Sequence, residues 1–245
     1  MIRSLSSLQW WPLIRKANFF SYKFRLHRCA WQTLSCFHGN VLDIGAGGQP
    51  FRPYLCGTVR YTAVELNPKV ACDVRARVSQ LPFAAEQFDG VLCTEVLEHV
   101  PEPLLVMHNI NRVLKPGGLL YVTVPMTWRL HYEPHDYYRY TKYSLCHMAE
   151  QAGFEVVEII KIGGLFIAIL ARLEDVVVSQ LYRMTFPLKP LLDTRCRVAF
   201  VSVLLFPLVI LLDLIAAVLD RIFPGAQHDA LGWAMLACKR RDVGL

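Results

Sequence analysis

The segment Val41-Leu42-Asp43-Ile44-Gly45-Ala46-Gly47-Gly48 constrains the fold of this chain more than any other. An apolar strand runs directly into a glycine-rich turn, and a second apolar stretch, Tyr61-Thr62-Ala63-Val64-Glu65, ends in a carboxylate about twenty residues on. Parallel α/β sheets build nucleotide pockets in this way, at the carboxyl ends of their strands. Glycine lets backbone approach a ligand where a Cβ would obstruct it. Three features narrow the ligand. A dinucleotide site wants a further glycine where this chain has Gln49-Pro50-Phe51. Pro50 argues against a helix opening there to hold a pyrophosphate on its N-terminus. Asp43 would repel phosphates, whereas it suits an amine-bearing tail. The pattern therefore points to a nucleoside without phosphates, its ribose hydroxyls accepted by Glu65.

Short apolar runs at 41–44, 61–65, 88–93 and 119–124 are strand-like, and the segments between them can carry helices. A helical stripe runs from Pro101 to Leu114, opened by proline and stopped by Pro116-Gly117-Gly118. Thr141 N-caps a second helix that Gly153 closes. Phe154–Ile162 and Leu231–Ala237 read as the last two strands.

Leu42-Asp43-Ile44-Gly45-Ala46-Gly47, Val64-Glu65-Leu66-Asn67, Leu81-Pro82-Phe83, Phe88-Asp89-Gly90-Val91, Glu95-Val96-Leu97-Glu98-His99-Val100 and Val113-Leu114-Lys115-Pro116-Gly117-Gly118 follow one another in order. Together they resemble the class I S-adenosylmethionine-dependent methyltransferases, in particular the small-molecule group. The resemblance covers residues 40–162 and resumes at 231–240. It implies an α/β, Rossmann-like seven-stranded sheet, here with an N-terminal helical arm and a helical apolar insert between the last two strands. The expected division is an arm over 1–39, a methyltransferase domain over 40–162 and 231–241, and an insert over 163–230.

Carried over by motif, Asp43 and the backbone of Gly45, Ala46 and Gly47 would hold the methionine portion of S-adenosylmethionine. Glu65 would bind its ribose, Leu66 would lie against the adenine, and Glu95 falls on the cofactor side as well. The chain departs from the family pattern before Leu81-Pro82-Phe83. Relatives place an adenine-side acid there, and this chain has Arg77, with Asp73 nearby. Either Asp73 serves from a shifted loop or the contact is absent.

Methyl transfer from a sulfonium is a displacement that positioning can accelerate, and a base is needed only if the acceptor must lose a proton. Base candidates lie in His131-Tyr132-Glu133-Pro134-His135-Asp136-Tyr137-Tyr138-Arg139-Tyr140. His135 with Asp136, and His99 at the end of the fourth strand, are the catalytic candidates. The alternatives are that His135 and Asp136 pin the loop to the helix behind it, and that Glu98-His99 shapes the next helix. Glu95-x-x-Glu98-His99 with His131 or His135 also forms a divalent-cation set, which some similar class I enzymes use. The same string is common in metal-free relatives, and no metal is assigned.

Charge and hydropathy are unevenly placed. The net charge is +6, yet residues 1–42 hold Arg3, Arg15, Lys16, Lys23, Arg25 and Arg28 and no acid, so the excess belongs to this arm. Its Trp10, Trp11, Phe19, Phe20, Phe24 and Trp31 favour an anionic membrane surface over nucleic acid. No apolar core follows the early arginine, unlike a signal peptide. The insert carries an apolar run at Gly163–Ala171 and another from Val198 to Leu219, interrupted by Asp213. Both its ends feed strands of one sheet, which excludes a single crossing. A monotopic hairpin bent near Pro207 is expected, with Arg195, Arg197 and Arg221 near the headgroups. A subunit interface or lid helix is the alternative. Eight cysteines without a CxxC pair fit a reducing compartment. The reading is a methyltransferase on the cytoplasmic side of a membrane, acting on an amphipathic or lipid-linked acceptor, with no nucleic-acid partner. A non-catalytic assembly or regulatory subunit of the same fold is the alternative.

Overall fold

The computed structural model describes residues 20–184, 194–223 and 228–241 of the 245-residue chain. The chain divides into two compact units: the segment up to Arg25 with Gly163–Leu231, and Leu26–Ile162 with the chain from Gly232 onward. The division falls at Arg25 rather than at residue 39, because Leu26, Cys29, Ala30 and Thr33 of helix α1 (Phe20–Thr33) are buried at helical spacing.

The larger unit is a seven-stranded sheet in the order β3-β2-β1-β4-β5-β7-β6. Its strands are β1 (Asn40–Ile44), β2 (Arg60–Glu65), β3 (Val74–Arg75), β4 (Phe88–Thr94), β5 (Leu114–Pro125), β6 (Phe154–Ile162) and β7 (Gly232–Lys239). β7 pairs antiparallel with both β5 and β6, and the other pairings are parallel. The central strands read as continuous apolar runs because both faces of the sheet are covered. Val41, Leu42, Ile44, Val91, Leu92, Leu120 and Val122 are each 0% exposed. Helix α2 (Pro103–Val113) buries Val106, Met107, Ile110 and Val113, each contributing roughly 1.5–3 kcal/mol by leaving water. Helix α3 (Lys142–Gln151) starts where expected, the Thr141 side chain accepting from Ser144 N.

The links from β1 to β2 and from β2 to β4 contain no α-helix among the described residues; a 3-10 turn at Arg52–Tyr54 and the short β3 take their place. Pro50, Pro53, Pro68 and Pro82 punctuate these links, and each lacks the N–H that a helix interior requires. The sheet order reverses beside β1, whose neighbours are β2 and β4, and the crevice at a reversal is where such sheets bind ligands.

The smaller unit contains helices α4 (Leu165–Met184) and α5 (Thr194–Ile222). Asp220, near the end of α5, accepts from Gly164 N at 2.9 Å and Phe166 N at 2.8 Å, which places the two helices antiparallel. The Phe166 and Phe223 rings meet there at 5.6 Å. The hairpin expected to bend at Pro207 does not do so. Pro207 lies inside α5, where a helix tolerates a lost i→i−4 bond by a local kink instead of a reversal. α4 ends at Met184 and α5 begins at Thr194, and residues 185–193 lie outside the described residues. Among the described residues no helix is long and apolar enough to cross a membrane.

Candidate active site

Asp43, the penultimate residue of β1, is 1% exposed. Its Oδ2 accepts the Tyr61 hydroxyl at 2.5 Å, while Oδ1 is buried and accepts no hydrogen bond. Register explains the pairing: Val41 faces Tyr61 and Asp43 faces Ala63, so both side chains leave the same face of adjacent strands. The Arg52 guanidinium lies 5.0 Å above the Tyr61 ring. Burial pushes the Asp43 carboxyl up to about 7 against the lowering effect of the Tyr61 bond. An orphaned, buried acceptor that ionises near neutrality is complementary to an ammonium group.

The turn after Asp43 explains its glycines. Gly45 has φ +65° and a Cβ there would lie 2.5 Å from Val96 Cγ2. Gly47, at φ +49°, has nothing within 4 Å of its Cβ direction, leaving backbone open to a ligand. Ala46 between them is buried. Glu65 closes the turn: Oε2 accepts Gly47 N at 2.8 Å, and Oε1 accepts Leu66 N and Asn67 N at 2.8 and 2.9 Å. A carboxylate offers about four lone-pair sites, so capacity for a hydroxyl remains. Leu66 is exposed beside it. Asp73 is committed elsewhere, its Oδ2 accepting Ala63 N at 2.7 Å and tying β3 to β2, and Arg77 is exposed on the following loop. The residues at this crevice fit S-adenosylmethionine: Asp43 Oδ1 for the ammonium, open backbone at Gly47, Glu65 for the ribose.

The end of β4 supplies the second half of the site. Glu95 has φ +54° and donates its N–H to Thr123 O at 3.0 Å, turning the chain sharply out of the sheet. Glu98 follows in a 3-10 turn, 0% exposed, and neither carboxylate oxygen accepts a hydrogen bond. Burial, reinforced by the charge of Glu95, holds its carboxyl well above the usual range. His99 Nε2 lies 3.6 Å and His131 Nε2 3.9 Å from Glu98 Oε1. Ligand atoms of Glu98, His99 and His131 all fall within 4.8 Å of one another.

Both imidazoles are oriented from behind. His99 Nδ1 is 2.6 Å from His135 O, and His131 Nδ1 is 3.1 Å from Arg129 O and 3.2 Å from Asp136 Oδ2. These acceptors place the proton on Nδ1 in each ring and leave the Nε2 lone pairs free. Burial pushes the His131 imidazole below its ordinary value, favouring the neutral form.

Asp136 faces His131 and Arg139. The guanidinium grips both its oxygens at 2.7 and 2.8 Å, His131 N donates to it, and its carboxyl is held well below the usual range by the Arg139 bonds. His135 is exposed, its Nδ1 bonded to the Tyr137 hydroxyl at 3.0 Å. The loop is strapped over the end of β4 by Tyr137 N to Glu98 O, Tyr138 Oη to Pro101 O and Tyr140 Oη to Leu97 O. His99 is thus joined to this loop with His131 rather than with the His135 side chain. Sequence reasoning did not single out Tyr61 or assign a base role to His131. The β1–β2 register would have suggested the first, and no local pattern separates His131 from His135 for the second.

A family model described as a methyltransferase domain matches residues 25–159. The ubiquinone biosynthesis O-methyltransferase of Xanthomonas campestris pv. campestris is 35% identical over 99 residues, which take in 34% of this chain and 41% of that protein. The chain thus spans less than half the length of that relative. The structure of Burkholderia thailandensis 1,6-didemethyltoxoflavin-N1-methyltransferase with S-adenosylhomocysteine is similar at TM-score 0.52 and 17% identity, over 98% of this chain and 93% of that one. Phosphoethanolamine N-methyltransferase 2 of Haemonchus contortus, in complex with S-adenosylmethionine, is similar at TM-score 0.54 and 16% identity, over 91% of this chain and 57% of that one. At these identities the two structures speak to the fold alone. The family match carries the rest: over more than half its length, in a Rossmann-like fold, the chain belongs to the methyltransferase-domain family.

Proposed function

We propose that the protein methylates an oxygen of an amphipathic small molecule, such as a lipid, a quinone precursor or a lipid-linked sugar, at the cytoplasmic face of a membrane. The observation that carries the oxygen assignment is the pair of imidazoles with Nδ1 pinned and Nε2 free at the end of β4. The O-methyltransferase function of the Xanthomonas relative agrees with it. When bound, S-adenosylmethionine supplies the methyl group as an electrophilic sulfonium substituent. Asp43 and the Gly45–Gly47 backbone would hold the methionine end, with Asp43 Oδ1 on the ammonium, and Glu65 would hold the ribose. An acceptor hydroxyl held at the end of β4 would give up its proton to His131 Nε2 as its oxygen takes the methyl group. Asp136 orients that ring through Nδ1, as in other base–orienter pairs. A positioned base of this kind is worth roughly 10²–10⁴-fold.

The same cluster favours a second reading. Glu98, His99 and His131 fit a divalent cation: a buried carboxylate without hydrogen bonds faces two Nε2 atoms whose Nδ1 partners are already fixed, the usual outer support of metal-bound histidine. A cation there would polarise the acceptor oxygen and lower its pKa. Transfer that is insensitive to chelators in purified protein would exclude this reading.

The test uses methyl-labelled S-adenosylmethionine with membranes containing the protein, followed by partition into organic and aqueous phases, with Asp43→Ala alongside. Label in the organic phase that vanishes with the variant is expected. Asp43-dependent label in the aqueous phase alone would overturn the amphipathic acceptor.

A further inference from the structure

The two-helix unit has an inverted polarity. In a helix at the surface of a water-soluble protein, charges face out and apolar residues face in. Here α5 turns Leu208, Leu211, Ile215, Val218 and Ile222 outward, from 47% to 63% exposed, while Asp213 on the opposite side is 6% exposed. α4 exposes Ile169, Leu173 and Val176 beside an outward Arg172, and buries Glu174 at 7%. The inward polar groups are satisfied. Arg25 donates to both Asp213 oxygens at 2.8 and 3.1 Å, and Asp220 accepts two backbone N–H groups at the start of α4.

We infer that the outer faces of α4 and α5 are a docking surface for the outer part of an anionic lipid leaflet, with α5 lying in the plane of the membrane. This deepens, and for its biological meaning rests on, the reading of a membrane-surface methyltransferase. Two occupants compete for such a face, lipid and a second copy of the chain, and three observations select lipid. With Leu212 and Leu214 also exposed, the apolar arc of α5 spans roughly 160° at 100° per residue, far wider than a helix–helix seam. From Leu208 to Leu219 no outward charge flanks the stripe to choose a partner or register, and the next exposed charge along α5 is Arg221. The sequence leading into Arg25 carries Arg3, Arg15, Lys16 and Lys23 with no acid, complementary to anionic headgroups.

The connection sets the depth. The hairpin leaves β6 at Ile162 and returns to β7 at Gly232, so both ends stay on one side.

The test is flotation of the full chain with vesicles of phosphatidylcholine, with and without phosphatidylglycerol, compared with Leu211→Glu/Ile215→Glu and the milder Leu211→Ala/Ile215→Ala. Sedimentation velocity gives the oligomeric state, circular dichroism the fold, and calorimetry the binding of S-adenosylmethionine. Expected is flotation favoured by phosphatidylglycerol, lowered at least about tenfold by the glutamate pair and partly by the alanine pair, with cofactor binding retained. Flotation unchanged by both pairs would overturn the assignment. So would a soluble dimer that the glutamate pair dissociates, which would give the face to a second copy. Loss of cofactor binding in the wild-type chain would instead strike at the methyltransferase reading and leave the docking surface standing.

Discussion

Two buried acids at strand ends of the sheet unit and two acids of the helical unit are treated in opposite ways. In the sheet unit, Asp43 leaves one oxygen and Glu98 both oxygens without a hydrogen bond, at the carboxyl ends of β1 and β4. In the helical unit, Asp213 is held by a bidentate arginine and Asp220 by two backbone amides. Leaving a buried acceptor unmade is costly, so a fold retains it only where something else completes it. Open acids therefore mark where a ligand goes, and closed acids mark where the chain holds itself together. Each group can be removed to see whether it behaves as its class demands.

The largest effect is expected at the open site. His131→Ala should lower kcat by about 10²–10⁴-fold with the dissociation constant for S-adenosylmethionine within about threefold, because the ring clusters with Glu98 and His99 and not with Asp43 and Glu65. An equal rise in that dissociation constant would place His131 in cofactor binding and remove it as the base.

The closed pair comes next. Arg25→Ala strands Asp213 in a buried setting, where breaking an ion pair costs about 3–5 kcal/mol. Replacing both partners, Arg25→Met with Asp213→Leu, should recover most of that loss. A double variant as unstable as the single one in urea denaturation would show that the pair contributes something beyond mutual satisfaction.

Asp43→Asn separates stability from function. A carboxyl raised to about 7 favours the folded state while protonated. That contribution is complete below the unfolded value of about 4 and is lost as pH rises through about 7. The asparagine variant should therefore gain on the order of 2–4 kcal/mol over wild type at pH 8 and little below about pH 4. Its affinity for S-adenosylmethionine should fall by about 10²-fold or more, the cost of removing one partner of a buried charge pair. Destabilisation at pH 8 would reclassify Asp43 as a closed acid.

How far the sequence exposes these classes depends on how local the evidence is. The strand–glycine–strand–carboxylate pattern is local, and β1, β2 and the turn between Ile44 and Gly48 appear where the residues place them. Phe154–Ile162 matches to the residue, because Gly153 and Gly163 bound it with positive φ. Partners distant in sequence were not legible. Asp213 reads as an expense within an apolar helix until Arg25, 188 residues away, is brought against it. Asp136 reads as a partner of adjacent His135, yet the loop geometry aims it at His131 and Arg139. Pro207 reads as a bend, but the helix continues through it. Periodicity reports which face is apolar; it does not report which polar group the tertiary fold will bring to that face.

The smallest effect is the most specific test of an open acid, because it leaves the acid in place and changes only its support. Tyr61 donates to Asp43 Oδ2, and that bond works against burial to keep the carboxyl as low as about 7. Tyr61→Phe should push the Asp43 carboxyl higher, so that at pH 7 less of it is ionised to meet an ammonium. Affinity for S-adenosylmethionine at pH 7 should fall by roughly tenfold, the equivalent of about 1.4 kcal/mol and within the range for a hydrogen bond to a charged group. Above pH 8, where both proteins approach full ionisation, the gap should narrow, so calorimetric titrations across pH 6–9 should show the midpoint of the binding profile moved upward. Two profiles with the same midpoint and a constant offset would mean that Tyr61 acts through packing under Arg52 instead. Asp43 would then owe its ionisation to the ligand alone.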